Sequence, residues 1–361
     1  MITDAKRLAD FSKSLAALSN HNAYFDVRNH LRLSKEGNYL IVAAGNLNLY
    51  IQTAMPAHGM LGETFTIDVP AQEVSEWLTH ATGEVELLYS EKNNRLTLKA
   101  NGTQAVFNGL IAPENQLIVD DIYEEPFTVN RQRLLNIIRS CGAAVDGPGN
   151  RPILNNFHVL AGGCVEAADG YRVHRDSLAD NAPEMLIPGE ATVVIKRLFD
   201  AIELQQIGIA IGKKSIKFIA DEYTWGTSIS MIDRNGYPDT SSIRATAPTF
   251  IATLDTAELR QALRRVNIFA RKNQDRIRIK RGDNNLVIGA QSSGGEVVDF
   301  VGYDCDDANP PDVEFTLNIT FLSEALASCA ETTELYFQGT KLPVEIKSGG
   351  FNAVIMPMNA T

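Results

Sequence analysis

Residues 315–348 read FTLNITFLSEALASCAETTELYFQGTKLPVEIKS, and their pattern sets out the unit from which the chain is built. An apolar, β-prone run leads into about three turns with apolar residues at helical spacing. Two alternating runs follow, joined at Gly339-Thr340-Lys341. The same order recurs at 65–100, FTIDVPAQEVSEWLTHATGEVELLYSEKNNRLTLKA, and at 191–220, ATVVIKRLFDAIELQQIGIAIGKKSIKFIA. Their hairpin turns are Lys92-Asn93-Asn94 and Gly212-Lys213-Lys214. Within this grammar Glu334–Gly339, although it looks like a protease site for tag removal, is native strand sequence.

A second set of openings completes a sixfold recurrence: ITDAKRLADFSKSLAAL (2–18), FTVNRQRLLNIIRSC (127–141) and FIATLDTAELRQALRRV (250–266). Leu8, Phe11, Leu15 and Leu18 form one buried stripe, and Leu259, Leu263 and Val266 another, so each helix covers a sheet with one face. The acidic, proline-containing stretch VDDIYEEP (119–126) and the stretch RATAPTF (244–250) read as linkers. The chain is therefore expected to be α+β, in three similar domains at 1–123, 126–246 and 248–361, each holding two β-α-β-β-type repeats. A length of 361 residues suits two or three cores.

Composition narrows the function. The net charge is −11 and the pI about 5.1, which excludes a protein that grips nucleic acid with its whole surface. Cys141, Cys164, Cys305 and Cys329 are far apart and lack metal-ligand spacing, so a reduced, cytoplasmic protein is expected, without a metal or cofactor. No secretory h-region or membrane-spanning run is present in the sequence. Dinucleotide, phosphate-loop, zinc-protease and nucleophile-elbow motifs are missing, and His158 and His174 have no obvious partner in sequence, so no enzyme is indicated. The acidic runs Asp304–Asp307 and Asp120–Glu125 read as solvated loops.

RPILNN (151–156), AADGYRVHRDSL (167–178), GYPDTSSI (236–243), FTLNITFLSEAL (315–326) and VIMPM (354–358) follow one another in the order of the landmarks of the bacterial β sliding clamp, the processivity factor of DNA polymerase III. The sequence resembles that family over essentially its whole length, divergent phage- or plasmid-encoded members included. The resemblance implies the DNA clamp fold: a head-to-tail homodimeric ring of six similar domains, helices lining the hole and sheets outside. Such a ring closes when each domain turns the chain by about 60°. It implies double-stranded DNA, held without sequence preference, as one partner. A DNA polymerase and a clamp loader, bound through clamp-binding peptides, are the others.

Basic residues are concentrated accordingly. Lys6 and Lys13 lie opposite the apolar stripe of the first helix, and Arg260, Arg264 and Arg271 form a stripe on another. Arg131, Arg133, Arg139, Lys196 and Arg197 lie in the middle segment, and 127–141 holds no acidic residue. Singly, each is as well explained as solvated surface. Together they suit sliding phosphate contacts. Glu73 and Glu76, on a helix without Lys or Arg, depart from this, and Arg151 fits either a DNA-approaching loop or a plain turn.

By residue-by-residue match, the family's peptide groove would comprise Leu154, Gly170, Tyr171, Arg172, Val173, Pro238, Ile243, Asn318, Phe321, Val354, Met356, Pro357 and Met358. The match implies a dimer interface through Val106, Phe107, Ile268 and Phe269. Ala168 stands where Thr is usual, Ser242 replaces a basic residue, Gln274 an aromatic, and the tail ends Asn359-Ala360-Thr361. These departures leave open a ring dedicated to a phage or plasmid polymerase or to transcription, or a tandem-repeat binding protein that does not encircle DNA.

Overall fold

The computed structural model describes residues 1–16, 30–45, 50–59, 64–110, 121–147, 151–200, 204–213, 215–220, 223–228, 236–245, 247–305 and 311–359. Leu18, Lys214, Ala360 and Thr361 lie outside them, as do 119–120 and 246 of the two expected linkers.

The repeat is sixfold, with one strand more than the sequence pattern indicates. In order the chain runs β1 (Ile2–Asp4), α1 (Ala5–Ala16), β2 (His30–Glu36), β3 (Tyr39–Gly45), β4 (Tyr50–Pro56); β5 (Thr66–Pro70), α2 (Ala71–Leu78), β6 (Glu84–Ser90), β7 (Arg95–Ala100), β8 (Thr103–Asn108). The middle stretch follows as β9 (Phe127–Asn130), α3 (Arg131–Gly142), β10 (Asn156–Val159), β11 (Cys164–Ala168), β12 (Arg172–Ser177); β13 (Met185–Pro188), α4 (Gly189–Asp200), β14 (Gln206–Ile211), β15 (Ser215–Ala220), β16 (Tyr223–Ser228). The last is β17 (Phe250–Asp255), α5 (Thr256–Ala270), β18 (Arg276–Arg281), β19 (Asn285–Ser292), β20 (Gly295–Gly302); β21 (Glu314–Asn318), α6 (Ile319–Leu326), β22 (Thr332–Phe337), β23 (Val344–Ser348), β24 (Phe351–Ile355). Each unit is β-α-β-β-β rather than β-α-β-β. The third strand after each helix is polar or mixed, as in RVHRDS of β12 and TQAVFN of β8, which hides it from a search for apolar runs.

What starts each helix is legible. Asp4, Asn130, Asp255 and Asn318 end their strands with a side-chain oxygen that accepts from the amide of Arg7, Arg133, Glu258 and Phe321 respectively. Each such cap contributes about 1 kcal/mol. The other two strands end in Pro70 and Pro188, and Pro70, at φ −57°, sets the turn into α2 without a side-chain cap.

The described residues form two compact units, 1–135 with 186–232, and 136–185 with 233–361. In the first, one sheet runs β1-β6-β7-β8 and an eight-stranded one β5-β2-β3-β4-β16-β15-β14-β9. In the second, one sheet runs β20-β19-β18-β21 and an eight-stranded one β13-β10-β11-β12-β24-β23-β22-β17. The paired strands run antiparallel, as β11 with β12, β12 with β24 and β19 with β20. Each eight-stranded sheet is closed by strands distant in sequence: β4 meets β16 at Gln52 and Gly226, and β12 meets β24 from Arg172 opposite Ile355 to Arg175 opposite Asn352. In the second unit Leu259, Leu263 and Val266 of α5 and Leu322 and Leu326 of α6 pack into a core with Ile277, Ile279, Phe315, Phe337 and Ile346.

Candidate functional site

The β12–β24 joint carries an apolar cavity, and strand register explains its floor. Ala168, Val173 and Val354 are directly opposite one another on β11, β12 and β24, so their side chains share one face in a row. Leu154 adds a wall from a 3-10 turn at Pro152–Asn155, and Pro238, Thr240 and Ile243 add another from the strap 236–245, which crosses the same face. Arg151, Ile153, Gly170, Tyr171, Arg172, Gly236 and Met356 complete a mostly apolar pocket of about 510 Å³. A pocket of this size takes one or two bulky apolar side chains.

Nine of the thirteen groove residues expected from the sequence line this pocket: Leu154, Gly170, Tyr171, Arg172, Val173, Pro238, Ile243, Val354 and Met356. Phe321 lies beside it, its ring 4.2 Å from the Arg172 guanidinium carbon and 6.4 Å from the Tyr171 ring. Asn318 instead caps α6, accepting from the amides of Thr320 and Phe321. Pro357 and Met358 lie past the pocket, where the Met358 amide donates to the Thr316 carbonyl at 2.8 Å. Tyr171 is 63% exposed at the rim, and its carbonyl accepts from the Met356 amide at 2.8 Å, which holds the tail against β12.

Arg172 is buried and fully engaged. Its Nε donates to Asp169 at 2.9 Å, and its terminal nitrogens to Glu324 of α6 and to the Ala143 carbonyl. It braces the groove. Gly170 sits at φ +84°, a left-handed backbone that favours glycine, with the Arg151 guanidinium packed over its Cα.

Behind the strap lies a polar cluster that the sequence did not reveal. His158, Glu166, Arg175 and Asn352 are opposite one another on β10, β11, β12 and β24. His158 Nδ1 is 3.1 Å from Glu166 and Nε2 is 3.3 Å from Glu184. Glu166 also accepts from the Thr240 hydroxyl and from Arg175 Nε at 3.4 Å, and Arg175 Nη2 donates to the Thr240 carbonyl at 2.6 Å. The His158 ring packs on Tyr237 with centroids 4.5 Å apart. Burial alone would lower the His158 pKa, but its hydrogen bonds to Glu166 and Glu184 outweigh it and raise the value. Burial pushes Glu166 up, and the bonds from His158 and Thr240 with the Arg175 charge bring it below its ordinary value. His158 thus has two carboxylate partners, where the sequence suggests none. His174 is pushed down to about 4 by burial, with Nδ1 on the Ser140 carbonyl.

The basic residues divide by what they touch. Lys6, Lys13, Lys196, Arg197, Arg264 and Arg271 are exposed, and Arg139 is exposed with a bond to Asn136 within its own helix. Arg131 donates to the Phe199 carbonyl at the end of α4, and Arg260 to the Leu326 and Cys329 carbonyls at the end of α6. Those two close helix C-termini. Arg151 holds Asp146 and the Asp169 carbonyl at the pocket rim. Glu73 and Glu76 are exposed on α2.

Of the four residues expected at the dimer interface, Val106 on β8 is 52% exposed and Ile268 on α5 is 53% exposed. Phe107 is half-buried, and Phe269 packs partly against its unit's core. Val298 and Phe300 on β20, 51% and 58% exposed, are further uncovered apolar residues that sequence reading passes over because they alternate with charge.

Residues 245–359 match the family model described as DNA polymerase III beta subunit, C-terminal domain. No curated protein matches the chain by sequence. Among solved structures, the DNA polymerase sliding clamp from Pseudomonas aeruginosa is 19% identical with a TM-score of 0.87, covering 100% of this chain and 99% of that one. The DNA polymerase III beta subunit from Thermotoga maritima is 16% identical with a TM-score of 0.88 at the same coverage, and the sliding clamp from Bacillus subtilis 18% with 0.86. No helix among the described residues is long and apolar enough to cross a membrane. The chain thus has the fold of the bacterial DNA polymerase sliding clamps from end to end, and residues 245–359 carry the sequence signature of the C-terminal domain of the DNA polymerase III beta subunit.

Proposed function

We propose that the protein is a DNA sliding clamp: a head-to-tail homodimer, each chain in three domains at 1–123, 126–246 and 248–361, that encircles duplex DNA in the cytoplasm and tethers a polymerase without catalysing a reaction. The observation that carries this reading is the pocket at the β12–β24 joint. Nine residues scattered from 154 to 356 converge on it within a chain of sliding-clamp fold. The pocket is the docking site for apolar anchors of polymerase and loader peptides, because a few buried apolar side chains carry most of the energy of such docking. Met356 at the rim re-packs around different anchors.

Exposed Lys6, Lys13, Arg139, Lys196, Arg197, Arg264 and Arg271 supply the phosphate contacts, with affinity falling steeply in salt. β8 and β20 are the end strands of their four-stranded sheets, and exposed Val106, Val298 and Phe300 lie on them. Pairing β8 of one protomer with β20 of the next would cover those residues and close the ring.

A ring dedicated to a phage or plasmid polymerase is the second reading. It is favoured by Ala168, which leaves the pocket floor without the usual hydroxyl. Electron-microscopy class averages of the purified protein test the main proposal. Closed rings with a central hole are expected, and compact or open particles at micromolar concentration would refute encirclement.

A further inference from the structure

A second cavity lies on the far side of the strap. It has a volume of about 520 Å³ and is lined by Arg175, Arg244, Lys347, Asn352 and the hairpin glycines 349 and 350, among others. Asp176 and Glu345 line it too, so its charge is mixed, with cations in excess. Arg244 is exposed and makes no ion pair among the described residues. Lys347 lies 4.0 Å over the Tyr336 ring and pairs with Glu345 at 3.8 Å. Arg175 is 3% exposed, and its Nη1 has no hydrogen-bond acceptor among the described residues.

The two carboxylates of the recess are held in place by neutral donors. Glu345 accepts from Asn352 and from the Ala245 amide at 2.9 Å, and Asp176 accepts from Ser140 Oγ at 3.0 Å and from the Ser177 amide at 2.8 Å. Three cations thus share the recess with two carboxylates, leaving a modest excess of positive charge that is centred on exposed Arg244.

Its position relates it to the apolar pocket. The pocket floor uses Val173 and Val354, while the recess uses Arg175 and Asn352, two residues along the same strands and on the same face. Two strand residues span about 7 Å, the length of two residues of an extended peptide. The strap between them contributes Thr240 and Ile243 to the pocket and Arg244 and Ala245 to the recess.

We propose that the recess is an acidic-residue subsite of the peptide groove: a partner segment anchored in the apolar pocket places an Asp or Glu, two to four residues from that anchor, against Arg244 and Lys347. The inference rests on the groove reading above. It makes the sequence flanking the apolar anchors, rather than the anchors alone, the determinant of partner choice. Electrostatic complementarity at a rim acts on selection and encounter in this way.

The test is fluorescence anisotropy on the full chain with fluorescein-labelled short peptides bearing two leucines and a phenylalanine. One form is flanked by serines, one preceded by Glu-Asp and one followed by Glu-Asp. One of the acidic forms is expected to bind about three- to tenfold tighter than the serine form at low salt, as one or two exposed ion pairs give. Arg244→Glu should abolish or invert that preference while leaving the serine form unchanged, and Arg244→Lys should keep it. Equal binding of all three peptides by the wild type, or a preference that survives Arg244→Glu, overturns the subsite and leaves the groove standing. Failure of every peptide to bind overturns the groove and the subsite with it.

Discussion

Thr240→Val is the substitution that most directly tests how the pocket wall is held. Thr240 is buried, its hydroxyl donates to Glu166, and its carbonyl accepts from Arg175 at 2.6 Å. Valine keeps the shape, so the cavity term is near zero, and the change isolates one hydrogen bond to a buried carboxylate. Such bonds contribute about 1.5–3 kcal/mol. Glu166 then keeps His158 at 3.1 Å and a long contact to Arg175 at 3.4 Å.

The loss falls on the closed state of the strap. It is read in amide hydrogen exchange at Ile243, bonded to the Thr240 carbonyl, and at Ala245, bonded to Glu345. Protection there should fall by about 10- to 150-fold, the range that 1.5–3 kcal/mol implies. Peptide affinity should weaken by no more than that factor, since apparent affinity scales with the fraction of competent strap. Thr240→Ser, which retains the hydroxyl, should leave protection near wild type. If Thr240→Val leaves both amides as protected as before, the strap is held by something other than the Glu166 cluster and the reasoning fails.

Three further outcomes are expected. His158→Gln should destabilise the fold more at pH 6 than at pH 8. A pKa raised above 6.5 in the folded state gives stabilisation that is complete below that value and is lost as pH rises through the folded one; urea midpoints equal in their difference at both pH values would contradict it. Deleting residues 356–361 removes Met356 from the pocket rim and its amide from the Tyr171 carbonyl, so peptide binding should vanish while the oligomer persists by light scattering; retained peptide affinity would refute the site. Ile268→Asp, at an exposed position of α5, should give monomers in the same assay, and an intact dimer would remove that residue from the interface.

How much of this is legible in the sequence depends on which interaction carries each feature. The six strand–helix openings show because apolar spacing and a terminal Asp, Asn or Pro are local signals, as at Asp255 and Pro70. The third strand of each unit does not show. β12 lies inside its sheet with both faces covered, so RVHRDS is almost wholly buried despite its polar residues. The convergence of Leu154, Val173 and Val354 cannot be derived from spacing; only the family resemblance pointed to it. His158, Glu166 and Arg175 meet through strand register alone, which no local pattern specifies. Arg131 and Arg260 look like ligand-facing charge in a helix, yet both are spent on the carbonyls of a neighbouring helix end.

The pairing of strands so far apart in sequence has a consequence for synthesis on the ribosome. β12 ends at Ser177, whereas its neighbour β24 begins only at Phe351. At about 5–20 residues per second, the nascent chain carries β12 for on the order of ten to thirty seconds before its partner strand emerges. Throughout that interval Arg172–Ser177 is the open edge of an unfinished sheet, able to pair with any extended chain it meets. The half-made chain is therefore the form most exposed to aggregation, and holding it in check belongs to the cell's chaperones rather than to the finished fold.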